Sequence, residues 1–310
     1  MSVQELEPGV HGESDLIEIA TRLACEGYWQ DIQHLQLVSR VFRYDEQLWD
    51  AIKDEPGSGI QKRTRLMYAS WKGDLERVLF LLDRGARVNK RCVGDHRASP
   101  PFAPPADPSG VGVTALMWAC EQGHLGVVRE LCSRGGNANT ARGGDNTPAL
   151  TLALQLGHFE VARELCRRDV NVNAANHEGL TALMVACHKC PLDIVHRLCE
   201  LGADANAGMR ADGYTALMWA SKNGRLQVAL ELCKRGANVN AAQTANGRFT
   251  ALIISSRNGH LPVVQALLDQ GASKATLCSF GCTAHDYAGG GAKVTASLRA
   301  LLKPESSAPL

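Results

Sequence analysis

The densest knot of reactive side chains is Cys187-His188-Lys189-Cys190 with His196 and Cys199. By spacing alone, thiols and imidazoles in this arrangement could surround a zinc ion. Cys278, Cys282 and His285 form a second, looser cluster of the same ligand types. No serine sits in a nucleophile-elbow pattern, and Gly289-Gly290-Gly291 is not followed by the lysine and serine of a phosphate loop, so it reads as a chain breaker. The zinc reading of the first cluster fails on position. Cys187 and Cys199 fall on the apolar stripes of successive helical segments and Cys190 in the turn between them, so turning all three toward one ion would unpack the pair. Neither cluster is assigned a metal, no cofactor is expected, and no residue is assigned a catalytic role.

The elements carrying these residues belong to a repeated unit. Its cleanest copy runs from Thr215 to Asn240, TALMWASKNGRLQVALELCKRGANVN. Thr215 is placed to cap a short helix. Gly224 ends that helix, and Leu226, Val228, Ala229, Leu232 and Cys233 trace one buried stripe on a second. Gly236 supplies a left-handed exit. Thr114, Pro148, Thr181, Thr215 and Thr250 open successive copies at intervals of 34, 33, 34 and 35 residues, and Thr64 opens an earlier one. Asn89, Asn139, Asn173, Asn206 and Asn240 share one position near the end of their copies. Cys132, Cys166, Cys199 and Cys233 stand where other copies have Leu82 and Leu268, and Cys120 and Cys187 where others have Ser70, Ser221 and Ser256. Cysteine in such places is a small buried hydrophobe, which makes the eleven cysteines structural and reduced.

Composition narrows the function classes. A net charge of +1 gives no bulk electrostatic case for nucleic acid or anionic lipid. No apolar run approaches the ~20 residues a membrane-spanning helix needs, and the acidic start Met1 to Glu7 lacks the order of a signal peptide. The reading is of a monomer in the cytoplasm or nucleus that binds neither nucleic acid nor membrane.

The near-33-residue period, with T-A-L-M-W-A opening and G-A-N-V-N closing its cleanest copy, resembles the ankyrin repeat. The resemblance covers Thr64 to about Leu302 and implies an all-α solenoid of about six helix-turn-helix repeats plus a degraded last one, spanning 60–302. It is local in its departures: Asp169 stands where other copies have glycine, and Thr147 to Leu150 holds one residue too many for an unambiguous alignment. A proline-rich insertion at about 91–112 accounts for the longer first interval, either as a loop decoration or as a docking segment.

Ahead of the array, residues 14–56 read as a helical unit, with disorder expected at 1–13 and 303–310. Within it, Leu35, Leu37, Val38, Ser39, Arg40, Phe42, Arg43, Leu48 and Trp49 resemble the second half of an F-box, although the family's opening Leu-Pro is absent. The alternative is a helical cap over the first repeat's apolar face, which repeat arrays require. As an F-box-like unit it would bind a Skp-type adaptor of a cullin ubiquitin ligase through Leu35, Leu37, Val38, Phe42, Leu48 and Trp49.

The ankyrin resemblance also implies where binding takes place: a concave groove lined by the first helices and the inter-repeat turns. Carried over by position, the contact residues are Trp71, Lys72, Glu121, Gln122, Gln155, Leu156, His188, Lys189, Lys222, Asn223, Arg257 and Asn258. Val113, Leu180, Tyr214 and Phe249 add an apolar line along the turns, and Tyr214 and Phe249 are expected to matter for binding but little for stability. His124, His158 and His260 are expected to bridge neighbouring turns, and Trp118 and Trp219 to pack the first helices. The function read from the chain is non-catalytic protein recognition, with an acidic partner segment favoured by Lys189, Lys222 and Arg257.

Overall fold

The computed structural model describes residues 64–92, 112–245, 247–288 and 292–303. The F-box-like or capping unit at 14–56, the stretches at 1–13 and beyond Lys303, the body of the proline-rich insertion and Gly289 to Gly291 lie outside the described residues. Among those described there are thirteen helices and no strand.

They come in pairs: α1 (Arg65–Lys72) and α2 (Leu75–Asp83), α3 (Ala115–Gln122) and α4 (Leu125–Ser133), α5 (Ala149–Leu156) and α6 (Phe159–Leu165), α7 (Ala182–Lys189) and α8 (Leu192–Glu200), α9 (Ala216–Lys222) and α10 (Leu226–Lys234), α11 (Ala251–Arg257) and α12 (Leu261–Asp269), closed by α13 (Ala292–Leu302). First helices pack on first helices and second on second, and α13 packs on α12. None of the paired helices exceeds nine residues, below the ~12–15 at which an isolated helix becomes even marginal in water. Neighbouring repeats therefore supply the stability.

Local chemistry sets the helix boundaries. The hydroxyls of Thr64, Thr114, Thr181, Thr215 and Thr250 accept from the backbone N–H three residues on, at 3.2–3.4 Å. Pro148 holds the same N-cap position without a side-chain bond, which settles the alignment there: α5 starts at Ala149. Cys190 replaces the usual glycine and sits extended at φ −86°, ψ 161°, the conformation that the following Pro191 favours. Where Asp169 replaces glycine, α6 ends early at Leu165. Position 169 has no positive φ, so the left-handed exit used at Gly236 (φ 80°) is not available.

Three sets of bonds tie each repeat to the next. Side-chain amides of Asn89, Asn139, Asn173, Asn206 and Asn240 donate to the carbonyls of Gly135, Asp169, Gly202, Gly236 and Gly271 at 2.9–3.2 Å. Their Oδ1 atoms accept from the N–H groups of Asn137, Asn171, Asp204, Asn238 and Ser273 at 2.6–2.8 Å. Hairpin tips also bond to one another, His177 N–H to Asp145 O, Arg210 to Glu178, Thr244 to Asp212 and Ser279 to Gly247, each 2.8 Å. On the second-helix side, the buried Glu164 carboxylate accepts from Arg129, Arg167 and Arg168; burial pushes its pKa up, but the three guanidiniums outweigh that and the net direction is down.

The insertion starts and ends at one hairpin. Cys92 N–H donates to Val113 O at 2.9 Å and Gly112 N–H to Cys92 O at 2.8 Å. This pairing matches Arg142 with Thr147 and Met209 with Tyr214 in later repeats. The two described ends of the insertion, Cys92 and Gly112, are therefore held together at one hairpin position.

Candidate partner-binding face

First helices end where the histidines begin, and this junction sets the geometry of the face. Nε2 of His124 lies 3.0 Å from Trp71 O, that of His158 2.9 Å from Glu121 O, and that of His260 3.0 Å from Lys222 O. A carbonyl can only accept, so Nε2 carries the proton. Each ring fills the space beneath the preceding repeat's glycine: a Cβ at Gly73, Gly123 or Gly224 would lie 2.5, 2.4 or 2.6 Å from an imidazole atom. In the fifth repeat Arg225 takes the histidine's place, and its guanidinium donates to the carbonyls of Ala186, Cys187 and Cys190 at the end of α7. The histidines bridge as the sequence suggests; Arg225, which does the same with a longer reach, was not legible as a bridge.

The predicted contact residues divide into groups. Lys72 leans over the ring of the half-buried Trp71 at 4.7 Å, and Trp71 lies 5.9 Å from Tyr68. Gln122 and Leu156 are exposed, Leu156 at 49%; Glu121 and Gln155 are half-buried. Lys189 Nζ donates to Gln155 O. Asn223 and Asn258 are used locally, their amides donating to Trp219 O and Ile254 O of their own helices at 2.7 and 2.8 Å. Val113 does not belong with the free side chains: it is 3% exposed and pinned opposite Cys92. Leu180 is half-buried.

The fourth and fifth repeats gather the densest group. His188, Trp219 and Tyr214 are consecutive rings with centroids 4.9 Å apart at each step, and Lys222 Nζ lies 5.2 Å over Trp219. Trp219 Nε1 is buried with no protein partner. Burial, then Lys189, Lys222 and Arg225, hold the His188 pKa below the ordinary imidazole value. Burial pushes the Tyr214 phenol up to about 12, with Asp212 adding to it. In the next repeat Phe249 meets Tyr287 edge-on at 5.4 Å, Phe280 at 6.4 Å and the Arg257 guanidinium at 6.0 Å. Tyr214 and Phe249 both pack against the core, so truncating either removes structural contacts as well as surface. The expectation that these two residues are neutral to stability is corrected accordingly.

Family models of the ankyrin repeat match residues 102–176 and 168–243, described as three copies, and residues 248–277, described as a single repeat. Together they span more than half of the chain. The chain belongs to the ankyrin-repeat family. Among solved structures, the ankyrin repeat domain of human ASB11 is similar at 21% identity and a TM-score of 0.60, covering 78% of this chain and 99% of that one. The ankyrin repeat domain of Bcl-3, a member of the IkappaB protein family, is similar at 25% identity and 0.59, covering 77% and 99%. No curated protein sequence matches the chain.

Ankyrin packing places the remaining candidates. Cys120 and Cys187 are fully buried, as are Ser70, Ser221 and Ser256 at the same position. Cys166 and Cys199 are buried, whereas Cys132 and Cys233 are only half-buried, so the cysteine ladder is graded and not uniform. Burial pushes the Cys166 and Cys190 thiols up to about 11 and the Cys187 thiol higher still. His196 turns away from these thiols toward Glu200 at 3.0 Å and Glu231 at 3.1 Å. Trp118 is 2% exposed, a packing residue as expected. Trp219, at the same repeat position, is half-buried beside His188 and Tyr214, so it joins the candidate face. The signal for that was the coincidence of Tyr214, Trp219 and a histidine in the preceding copy.

Proposed function

We propose that this ankyrin array is a non-catalytic scaffold that holds a protein partner in the concave groove expected of the family, and that the partner presents an acidic segment. The observation carrying this is the His188–Trp219–Tyr214 ring series flanked by Lys189 and Lys222, continued by Phe249 and Arg257. Aromatic and cationic side chains of this kind are favoured interface anchors, and the cations repel basic segments. The scaffold acts as a monomer in the cytoplasm or nucleus, where the thiols buried between its stacked helices stay reduced. Selection of displayed random peptides on the immobilised full chain tests the proposal: binders rich in Asp and Glu that are lost with Lys222→Glu support it, and binders without acidic bias contradict it.

A second reading gives recognition a purpose. Leu35, Leu37, Val38, Phe42, Leu48 and Trp49 would recruit a Skp-type adaptor, making the chain a substrate receptor of a cullin ubiquitin ligase with the repeats holding the substrate. This reading rests on the sequence motif. Capture of purified adaptor by the full chain, lost with Leu37→Asp, supports it; no capture at micromolar concentrations removes it.

A further inference from the structure

The last hairpin of the array carries the segment Cys278-Ser279-Phe280-Gly281-Cys282, whose two thiols are held around a single residue. Phe280 N–H donates to Cys278 Sγ at 3.3 Å, and Cys282 Sγ donates to Phe280 O at 3.7 Å. Tyr287 Oη lies 3.6 Å from Cys278 Sγ. Across the hairpin, Cys278 N–H donates to Cys282 O at 2.9 Å. Gly281 N–H donates back to Cys278 O at 3.0 Å, so one tight turn holds the two cysteines at its ends, the close approach that a disulfide, with Cα atoms ~4.4–6.8 Å apart, requires.

We propose that Cys278 and Cys282 are an oxidant-responsive dithiol that closes to a reversible intrahairpin disulfide on reaction with a hydroperoxide. The Cys278 sulfur accepts hydrogen bonds, which favours its thiolate. It attacks one peroxide oxygen, the O–O bond breaks, and the departing oxygen leaves as water (or alcohol) after taking a proton. The resulting Cys278 sulfenic acid is attacked by the Cys282 sulfur: the S–S bond forms, hydroxide leaves and takes up the Cys282 proton as a second water. Two thiols are oxidised by two electrons, and one peroxide is reduced by two.

Electrostatics and access agree with the geometry. Burial pushes the Cys278 thiol up, but hydrogen bonds from Tyr287, from the backbone N–H of Phe280 and from Cys282 outweigh it, so the net direction is down. Burial and the Cys278 charge push Cys282 up. This divides the pair into a reactive and a resolving thiol. The thiols inside the stack, by contrast, are pushed up by burial. Cys278 is 5% exposed, but Ser279, Phe280 (71%) and Gly281 above it are exposed and Cys282 is only half-buried, so a small oxidant has a short path. Closure takes the sulfur acceptor from Tyr287, which packs edge-on to Phe249, and so alters the aromatic group at this end of the array.

The test uses the reduced full chain, exposed to a few equivalents of hydrogen peroxide, alkylated with N-ethylmaleimide and mapped by tryptic mass spectrometry. The expected result is a peptide containing residues 278–282 that is two hydrogens lighter, free of alkylation and restored by dithiothreitol, while Cys120, Cys166 and Cys187 remain reduced. Cys282→Ser should stop at a single oxygen on Cys278, trapped by dimedone, and Tyr287→Phe should slow oxidation several-fold. Full alkylation of both residues after peroxide, oxidation of a stacked thiol first, or disulfide-linked dimers through Cys278 would each overturn the proposal.

Discussion

A glycine that ends a helix in the left-handed region can have two separable jobs, and glycines at different helix ends of the array distinguish them. Gly123 sits at φ 78° with the His158 ring directly beneath it, whereas Gly236 sits at φ 80° with nothing within 4 Å of a new Cβ. Gly236→Ala should therefore cost only the left-handed backbone term, about 1–2 kcal/mol. Gly123→Ala must also displace His158, and urea unfolding should show it clearly less stable than Gly236→Ala. Equal losses would mean the ring moves freely. The graded cysteine ladder makes a related prediction. Cys166→Ser buries an unpartnered hydroxyl and should cost about 1–3 kcal/mol, while Cys233→Ser at its half-buried site should cost less. His188 adds a pH dependence. Its folded pKa is depressed by burial and by Lys189, Lys222 and Arg225, so near neutrality it is uncharged in both states. As pH falls through ~6.5 the unfolded chain takes up a proton that the folded chain resists, and stability declines until folded His188 is protonated too. NMR titration should place its midpoint below the ordinary imidazole value, and an acidic ligand should raise it.

At the scale of elements, the repeat start, the two helices and the glycine exits were legible because each is a local event of capping or apolar spacing. The shared asparagine position was legible too, but its partners were not. From Asn139 on, each amide bonds to a backbone carbonyl about thirty residues on, and a carbonyl has no identity in a sequence. The same holds for Arg225, whose three carbonyl acceptors belong to the preceding repeat. Trp118 and Trp219 are the same residue at the same position, yet one is core and one is half-exposed; only their neighbours distinguish them. Asn206→Ala should leave Gly236 O and Asn238 N–H to water at an exposed site, costing about 0.5–1.5 kcal/mol. Asn206→Asp keeps the acceptor for Asn238 N–H and loses the donor, so its loss should fall between Asn206→Ala and none. Thermal melts of the two variants check the order.

For the whole molecule, stacked repeats convert a set of marginal helix pairs into one continuous core while leaving the turn side free to differ from repeat to repeat. That freedom is where function enters: the second to fourth turns carry Gln122, Leu156 and His188, and the fifth and sixth carry Lys222 and Arg257 against aromatic rings. The most direct test compares the affinity of a selected acidic peptide for the unmodified chain, for Lys222→Glu and for Lys234→Glu, the last an exposed lysine on the second helix of the same repeat. Isothermal titration should show a loss of roughly tenfold or more for Lys222→Glu, on the order of 1.4 kcal/mol, and little change for Lys234→Glu. Equal losses, or none in either variant, would contradict an acidic partner seated on the first-helix face.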